Sequence, residues 1–205
     1  MVVGFLVLGG LIIYLILTLI LVWLGIRVAR ERGKSGWKGA VPVLVVMYLL
    51  MFWDLIPMQM AHRYYCATEG GFSLNKSLEQ WQAENPGVAK TLKPLKNAPQ
   101  VESGNRVRVA LNQRFAWDTY TTREFLEIRK RDERIIDIKT GEVLARNVDF
   151  DDGLHSRNPK RFRDFKLWLW TGACPGEVGD PKWVVDGDSF ISFQTKIERI
   201  NGVMK

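Results

Sequence analysis

The chain has 205 residues, 47% of them hydrophobic, and 29 Lys/Arg against 22 Asp/Glu give a net charge of +7. That charge does not read as a nucleic-acid signature: residues 1–60 hold five cations and two acids, and the other 24 cations and 20 acids leave only +4 on the remaining 145 residues. Two cysteines and two histidines, scattered singly, make neither a zinc pattern nor a triad spacing, and no Gly-x-Ser-x-Gly elbow or phosphate-cradling glycine loop occurs. We expect no nucleic-acid partner, no metal, no cofactor and no enzymatic activity.

Residues 2–26 form an apolar run without a charged residue. A bilayer core about 30 Å thick needs ~20 apolar residues at 1.5 Å rise, so the run can span as a helix that satisfies its own backbone hydrogen bonds. A second run, 40–60, has Pro42 near its start and Asp54 near its end, and is expected to cross as well. The first run is too long for a signal peptide and its basic residues follow it rather than precede it, which predicts an uncleaved anchor.

Between the runs the connector 27–39 carries Arg27, Arg30, Arg32, Lys34 and Lys38 against Glu31 alone. Cations are retained on the cytoplasmic side of short loops. The connector is therefore expected inside, with both termini and the rest of the chain outside: a bacterial inner-membrane protein facing the periplasm. Trp23, Trp37, Tyr48 and Trp53 suit the two interfaces. Asp54 would cost ~2.5–3.5 kcal/mol at mid-bilayer, and so near the exit it is expected to meet interfacial water or Arg63, although an intramembrane acid is by default a functional candidate.

Cys66 and Cys174 both follow the second run. An oxidising compartment favours a bridge worth roughly 4–5 kcal/mol on the chain-entropy model. The alternative is two buried thiols acting as small apolar side chains. Ser77-Leu78-Glu79-Gln80 has capping-box spacing, which predicts a helix carrying Leu78 and Trp81 and stopping at Asn85-Pro86-Gly87. Asn85 and Pro86 would start a second short helix through Leu92, and residues 93–105 read as a linker.

From Arg106 the period becomes two, with strands expected at Val107-Val109-Leu111, at Phe125-Leu126-Ile128 and at Ile135-Ile136-Ile138. Thr140-Gly141 reads as a hairpin turn into Val143-Leu144. An aromatic strand is expected at Phe165-Leu167-Leu169 with Trp168 and Trp170 opposite. Asp186-Gly187 is expected to turn Trp183-Val184-Val185 back into a strand at Phe190-Ile191-Ser192-Phe193. Basic runs such as Arg129-Lys130-Arg131 read as a solvated strand face, and the acids Asp149, Asp151 and Asp152 as a solvated loop lacking the oxygen spacing of a calcium loop.

The predicted fold is membrane-anchored α+β: a transmembrane hairpin over 1–60, a helical neck and linker over 61–105, and a mainly antiparallel β domain over 106–205. The run Phe52-Trp53-Asp54-x-x-Pro57, Cys66, Gly71-Phe72, Lys76, Glu79-Gln80-Trp81 and Glu84-Asn85-Pro86-Gly87 resembles a set of bacterial two-span inner-membrane proteins found near mobile elements. The phrase Asp137-x-Lys139-Thr140-Gly141-Glu142-Val143-Leu144-Ala145 is similar to hairpins in that set. The resemblance implies no activity and points toward a role in defence against phage, plasmid or competitor.

The expected function is an anchored periplasmic module that binds another envelope or incoming protein, as in immunity or exclusion. Trp168, Trp170 and Trp183 would make the contact, because aromatic residues anchor interfaces. The alternative is a structural subunit of an envelope complex acting through its spans and Asp54.

Overall fold

The computed structural model describes residues 2–93, 95, 100–152, 166, 169–174 and 181–200, with side chains from residue 8 onward. They divide into two compact units, one comprising 1–58 with 156–170 and the other 59–155 with 171–205.

The first unit is built on two antiparallel helices, α1 (Val2–Glu31) and α2 (Trp37–Phe52). Their less exposed positions recur every three or four residues: Leu11, Tyr14, Thr18, Val22, Gly25 and Ala29 on α1, Gly39, Val43 and Met47 on α2. Small residues let the backbones approach, so that a Cβ added at Gly39 would lie 2.0 Å from the Gly25 carbonyl oxygen. Farther along the seam the Tyr14 hydroxyl donates to the Met47 carbonyl. The outer faces are leucine, isoleucine and valine, and almost all of them are exposed.

Among the described residues one helix is long and apolar enough to cross a membrane, over Leu8–Glu31. The second apolar run is not one helix. It breaks at Trp53-Asp54, and α3 (Leu55–Thr68) leaves α2 at a bend of 51°. The predicted end of the first span also moves, since α1 continues through Arg27 and Arg30.

The second unit holds a six-stranded antiparallel sheet in the order β1-β6-β5-β4-β3-β2. Its strands are β1 (Gly71–Leu74), β2 (Gln100–Ser103), β3 (Arg106–Ala110), β4 (Phe115–Arg123), β5 (Arg129–Asp137) and β6 (Val143–Asp151). Residues 61–105, read as neck and linker, thus supply both edge strands. The α+β class and antiparallel sheet agree with the alternating pattern in the sequence.

Two helices join the core. α4 (Leu78–Glu84) has the predicted capping box, Ser77 Oγ accepting from Gln80 N–H while Gln80 Oε1 accepts from Ser77 N–H. It buries Leu78 and Trp81. After it comes only a 3-10 turn, Ala89–Thr91, in place of a second helix. The Phe125 stretch is likewise a 3-10 turn, with Leu126 and Glu127 at positive φ and Phe125 exposed, because nine-residue β4 and β5 need a tight connection there.

The Asp186-Gly187 turn forms as expected, Val185 and Asp188 exchanging backbone hydrogen bonds at 2.8 and 2.9 Å. The turn leads into a helix, α5 (Phe190–Glu198), and not into a strand. Ser189 caps it, and Phe190, Phe193 and Ile197 recur at helical spacing to bury one face. The core combines these three with Phe72, Leu78, Trp81, Phe115, Ile135 and Leu144. Trp81 is fully buried, yet its indole N–H reaches Asp137 Oδ2 at 2.9 Å, and Arg114 Nε holds the other oxygen at 2.6 Å. Burial works to raise the Asp137 pKa, and the bonds from Trp81 and Arg114 outweigh it and hold the carboxyl below its usual range.

Candidate functional site

Strand register sorts the charged residues into two faces. On one, Arg108 pairs with Asp118 across β3–β4, Asp118 faces Arg134 on β5, and Arg134 faces Arg146 on β6. Like charges opposite one another would repel, but Asp132 accepts from Arg134 Nη2 at 2.6 Å and from Arg146 Nη2 at 2.8 Å. Burial alone would raise the Asp132 pKa; the hydrogen bonds from Arg146 and Arg134 override it and hold the carboxyl at about 2.

On the opposite face the register aligns Trp117 with Ile135, Glu133 with Asn147, Arg131 with Asp149 and Arg129 with Asp151. The apolar end of this face lies under α5. Past the helix the face opens into a cleft of about 480 Å³, lined by Trp117, Arg131, Glu133, Asn147 and Asp149 from the sheet. Ser189, Phe190, Ile191 and Gln194 of α5, with Trp183 and Cys174, complete its walls.

The acids here are not a solvated loop. Asp149, Asp151 and Asp152 are buried. Arg131 Nη2 donates to Asp149 at 2.7 Å, Arg129 to Asp151 through two bonds of 2.8 Å, and the Thr171 N–H to Asp152 at 2.8 Å. The run Arg129-Lys130-Arg131 is accordingly a set of ion pairs, Lys130 reaching Glu69 on the other face. Glu133 differs. Among the described residues its hydrogen bond comes from Asn147 Nδ2 at 2.9 Å, and burial raises its pKa above the usual glutamate value, with Asn147 and the Arg131 charge opposing. At the cleft wall the Trp117 indole N–H is buried without an acceptor among the described residues.

Cys66 and Cys174, 108 positions apart, are joined as a disulfide with their Cα atoms 5.5 Å apart. Cys174 N–H donates to Asp149 Oδ1 at 2.9 Å, which sets the bridge at the end of the cleft. Lys182 Nζ donates to the Cys66 and Ala67 carbonyls at the C-terminus of α3, where a cation suits the helix dipole. His62 is buried beside the bridge, its Nε2 3.0 Å from the Phe150 carbonyl and 3.5 Å from Cys66 Sγ. With both sulfurs bonded to each other, neither is the thiolate a metal would need.

The expected contact tryptophans fare differently. Trp168 lies outside the described residues. Trp170 is 65% exposed and is not on a strand. Trp183 sits in a turn, half-buried against the cleft. Asp54 is buried and pairs with Lys166 at 2.5 Å, within the first unit. Arg27, Arg30, Arg32, Lys34 and Lys38 are exposed around the α1–α2 connection.

Sequence reasoning missed Glu133, Asn147 and the α5 contribution. Period-two reading of Arg129-Lys130-Arg131-Asp132-Glu133 already puts Arg131 and Glu133 on one face. Which acid lacks a cation depends on β6 and on Arg129, and that is not visible locally. No protein-family model matches the chain, and neither curated proteins nor solved structures show a match.

Proposed function

We propose that the chain is a membrane-anchored, extracytoplasmic recognition module that binds a partner protein and performs no reaction of its own. The observation that carries this reading is the Cys66–Cys174 pairing, because such bridges persist on the oxidising side of a membrane. The exposed cations between two apolar helices support the same orientation, with the connector in the cytoplasm of a bacterium and both termini periplasmic. We take α2 as part of a second crossing: at 1.5 Å per residue its 16 residues reach only ~24 Å, so the crossing continues through the break into α3.

Recognition is supported by a mainly apolar, aromatic-walled cleft, the kind of concavity in which ligands and anchors are bound. Ile191, 73% exposed at its wall, offers apolar contact. Immunity against a toxin or exclusion of a mobile element is a role that such an outward-facing protein-binding domain would serve. The alternative, a structural subunit acting through its spans, has less support, since Asp54 already has Lys166 as a counter-charge.

Two measurements test the proposal in the native host. A cysteine replacing Glu102 on edge strand β2 should react with a membrane-impermeant maleimide in intact spheroplasts; reaction only after lysis would place the domain inside. A photo-cross-linking residue at position 191 should give a discrete protein adduct that the same residue at position 102 does not. Identical adduct patterns at the two positions would remove the cleft from the interface.

A further inference from the structure

Five buried aspartates of the sheet domain face a guanidinium, and a sixth, Asp152, accepts from the Thr171 N–H; half-buried Glu133 differs from all of them. Asp118 meets Arg108, Asp132 meets Arg134 and Arg146, Asp137 meets Arg114, Asp149 meets Arg131, and Asp151 meets Arg129. Glu133 meets no cation among the described residues and is bonded only to the neutral amide of Asn147. Arg131, two positions along the same face, is engaged by Asp149 and lies 3.4 Å from Asp151. With Arg131 held by Asp149, the carboxylate of Glu133 has no cation bonded to it among the described residues.

Its surroundings narrow what would compensate it. Trp117, Trp183 and Phe190 wall the cleft, and aromatic faces attract cations while stacking on aliphatic stems. A hard metal ion asks for six or more oxygens, and Asp149 is already taken up by Arg131 and the Cys174 N–H. An organic cation asks for one carboxylate and a ring wall.

We infer that the cleft receives a protonated amine or guanidinium on an aliphatic stem, a lysine or arginine side chain of the partner protein, with Glu133 as its counter-ion. The inference rests on the reading of the chain as a protein-binding module. It also accounts for the apolar rim, where Ile191 would contact the stem.

The test uses the full-length protein in nanodiscs, titrated by calorimetry with Nα-acetyl-lysine methylamide, the neutral Nα-acetyl-norleucine methylamide and n-butylammonium. The lysine derivative should bind about tenfold more tightly than its norleucine counterpart, and Glu133→Gln should bring the two together. Trp183→Leu should weaken the lysine derivative severalfold. Affinity should rise as pH passes upward through the Glu133 titration. Among the described residues the charged groups lining the cleft with Glu133 are Arg131 on β5 and Asp149 on β6, and neither Ser189 at the N-cap nor Phe190, Ile191 and Gln194 of α5 titrates there.

Equal binding of the lysine and norleucine derivatives by the unaltered protein would overturn the cation site without reliance on any variant. Undiminished binding by a Glu133→Gln protein with normal thermal unfolding would do the same. Butylammonium binding as tightly as the lysine derivative would replace the protein side chain with a free amine as the ligand. A failure here leaves the cross-link at position 191 standing, so the site and the module are judged separately.

Discussion

In the α1–α2 hairpin Gly25 and Gly39 lie inside and most leucines outside; in the sheet domain Trp81, Phe115 and Leu144 are fully buried and guanidiniums cover the strands. Each arrangement suits a different solvent. Among lipid tails an exposed leucine costs nothing, and helices gain by bringing backbones close at Gly25 and Gly39. In water the same leucine must be covered, and a buried acid such as Asp118 or Asp132 is tolerable only with a guanidinium against it. The two units therefore respond to opposite kinds of substitution.

The largest effect is expected at Trp81. Trp81→Ala removes a fully buried indole and leaves Asp137 without one of its donors, which should destabilise the sheet domain by about 3–5 kcal/mol. Urea denaturation followed by near-UV circular dichroism would measure it. The hairpin should remain in the membrane fraction, and loss of insertion would show that the two units do not fail independently.

Gly39→Leu probes the other side of the comparison. A Cβ at this position would lie 2.0 Å from the Gly25 carbonyl, so the helices must separate, at about 1–3 kcal/mol. Disulfide cross-linking between cysteines placed at Tyr14 and Met47 should fall, while urea denaturation of the sheet domain stays unchanged. On a water-exposed helix the same change would be nearly silent.

The smallest effect is electrostatic. Asp132 titrates at about 2 in the folded chain against an ordinary 3.8, so its contribution of about 2 kcal/mol at most is fully present above 3.8 and is lost as pH falls through 2. Glu133 has the opposite sign: its raised folded pKa gives stability present below the ordinary 4.5 and lost as pH rises through the folded value. Asp132→Asn should flatten the acid limb of a stability–pH curve measured by thermal unfolding, and Glu133→Gln should remove the decline above it. An unchanged acid limb in Asp132→Asn would show that the Arg134–Asp132–Arg146 cluster is solvated.

Several of these features could be read locally. The capping box at Ser77, the turns at Thr140-Gly141 and Asp186-Gly187, and the alternation that became β3 and β5 all depend on side chains within a few positions of each other. The stretch Phe190-Ile191-Ser192-Phe193 misled because four residues with two aromatics satisfy a strand pattern. Only Ile197, a turn and more away, shows the period to be helical. Asp149 and Asp151 read as solvated because their cations, Arg131 and Arg129, lie on the neighbouring strand some twenty positions back, and Asp152 because its donor, the Thr171 N–H, lies 19 positions ahead. Asp54 reads as meeting interfacial water or Arg63 for the same reason, and the structure pairs it with Lys166, 112 positions on.

By itself, the sequence determined the properties that accumulate along a stretch of chain: the apolar length of α1, the cations behind it, and the alternating pattern that makes the domain an antiparallel sheet with helices. These arise from transfer of side chains between water and an apolar phase and from backbone hydrogen bonding, both summed over neighbours. Only the tertiary structure decided which charges meet, that the second apolar run breaks at Trp53-Asp54, and that Glu133 faces a cleft with no cation bonded to it among the described residues. Those outcomes depend on through-space distances of a few ångströms between residues tens of positions apart, where electrostatic energy changes most steeply.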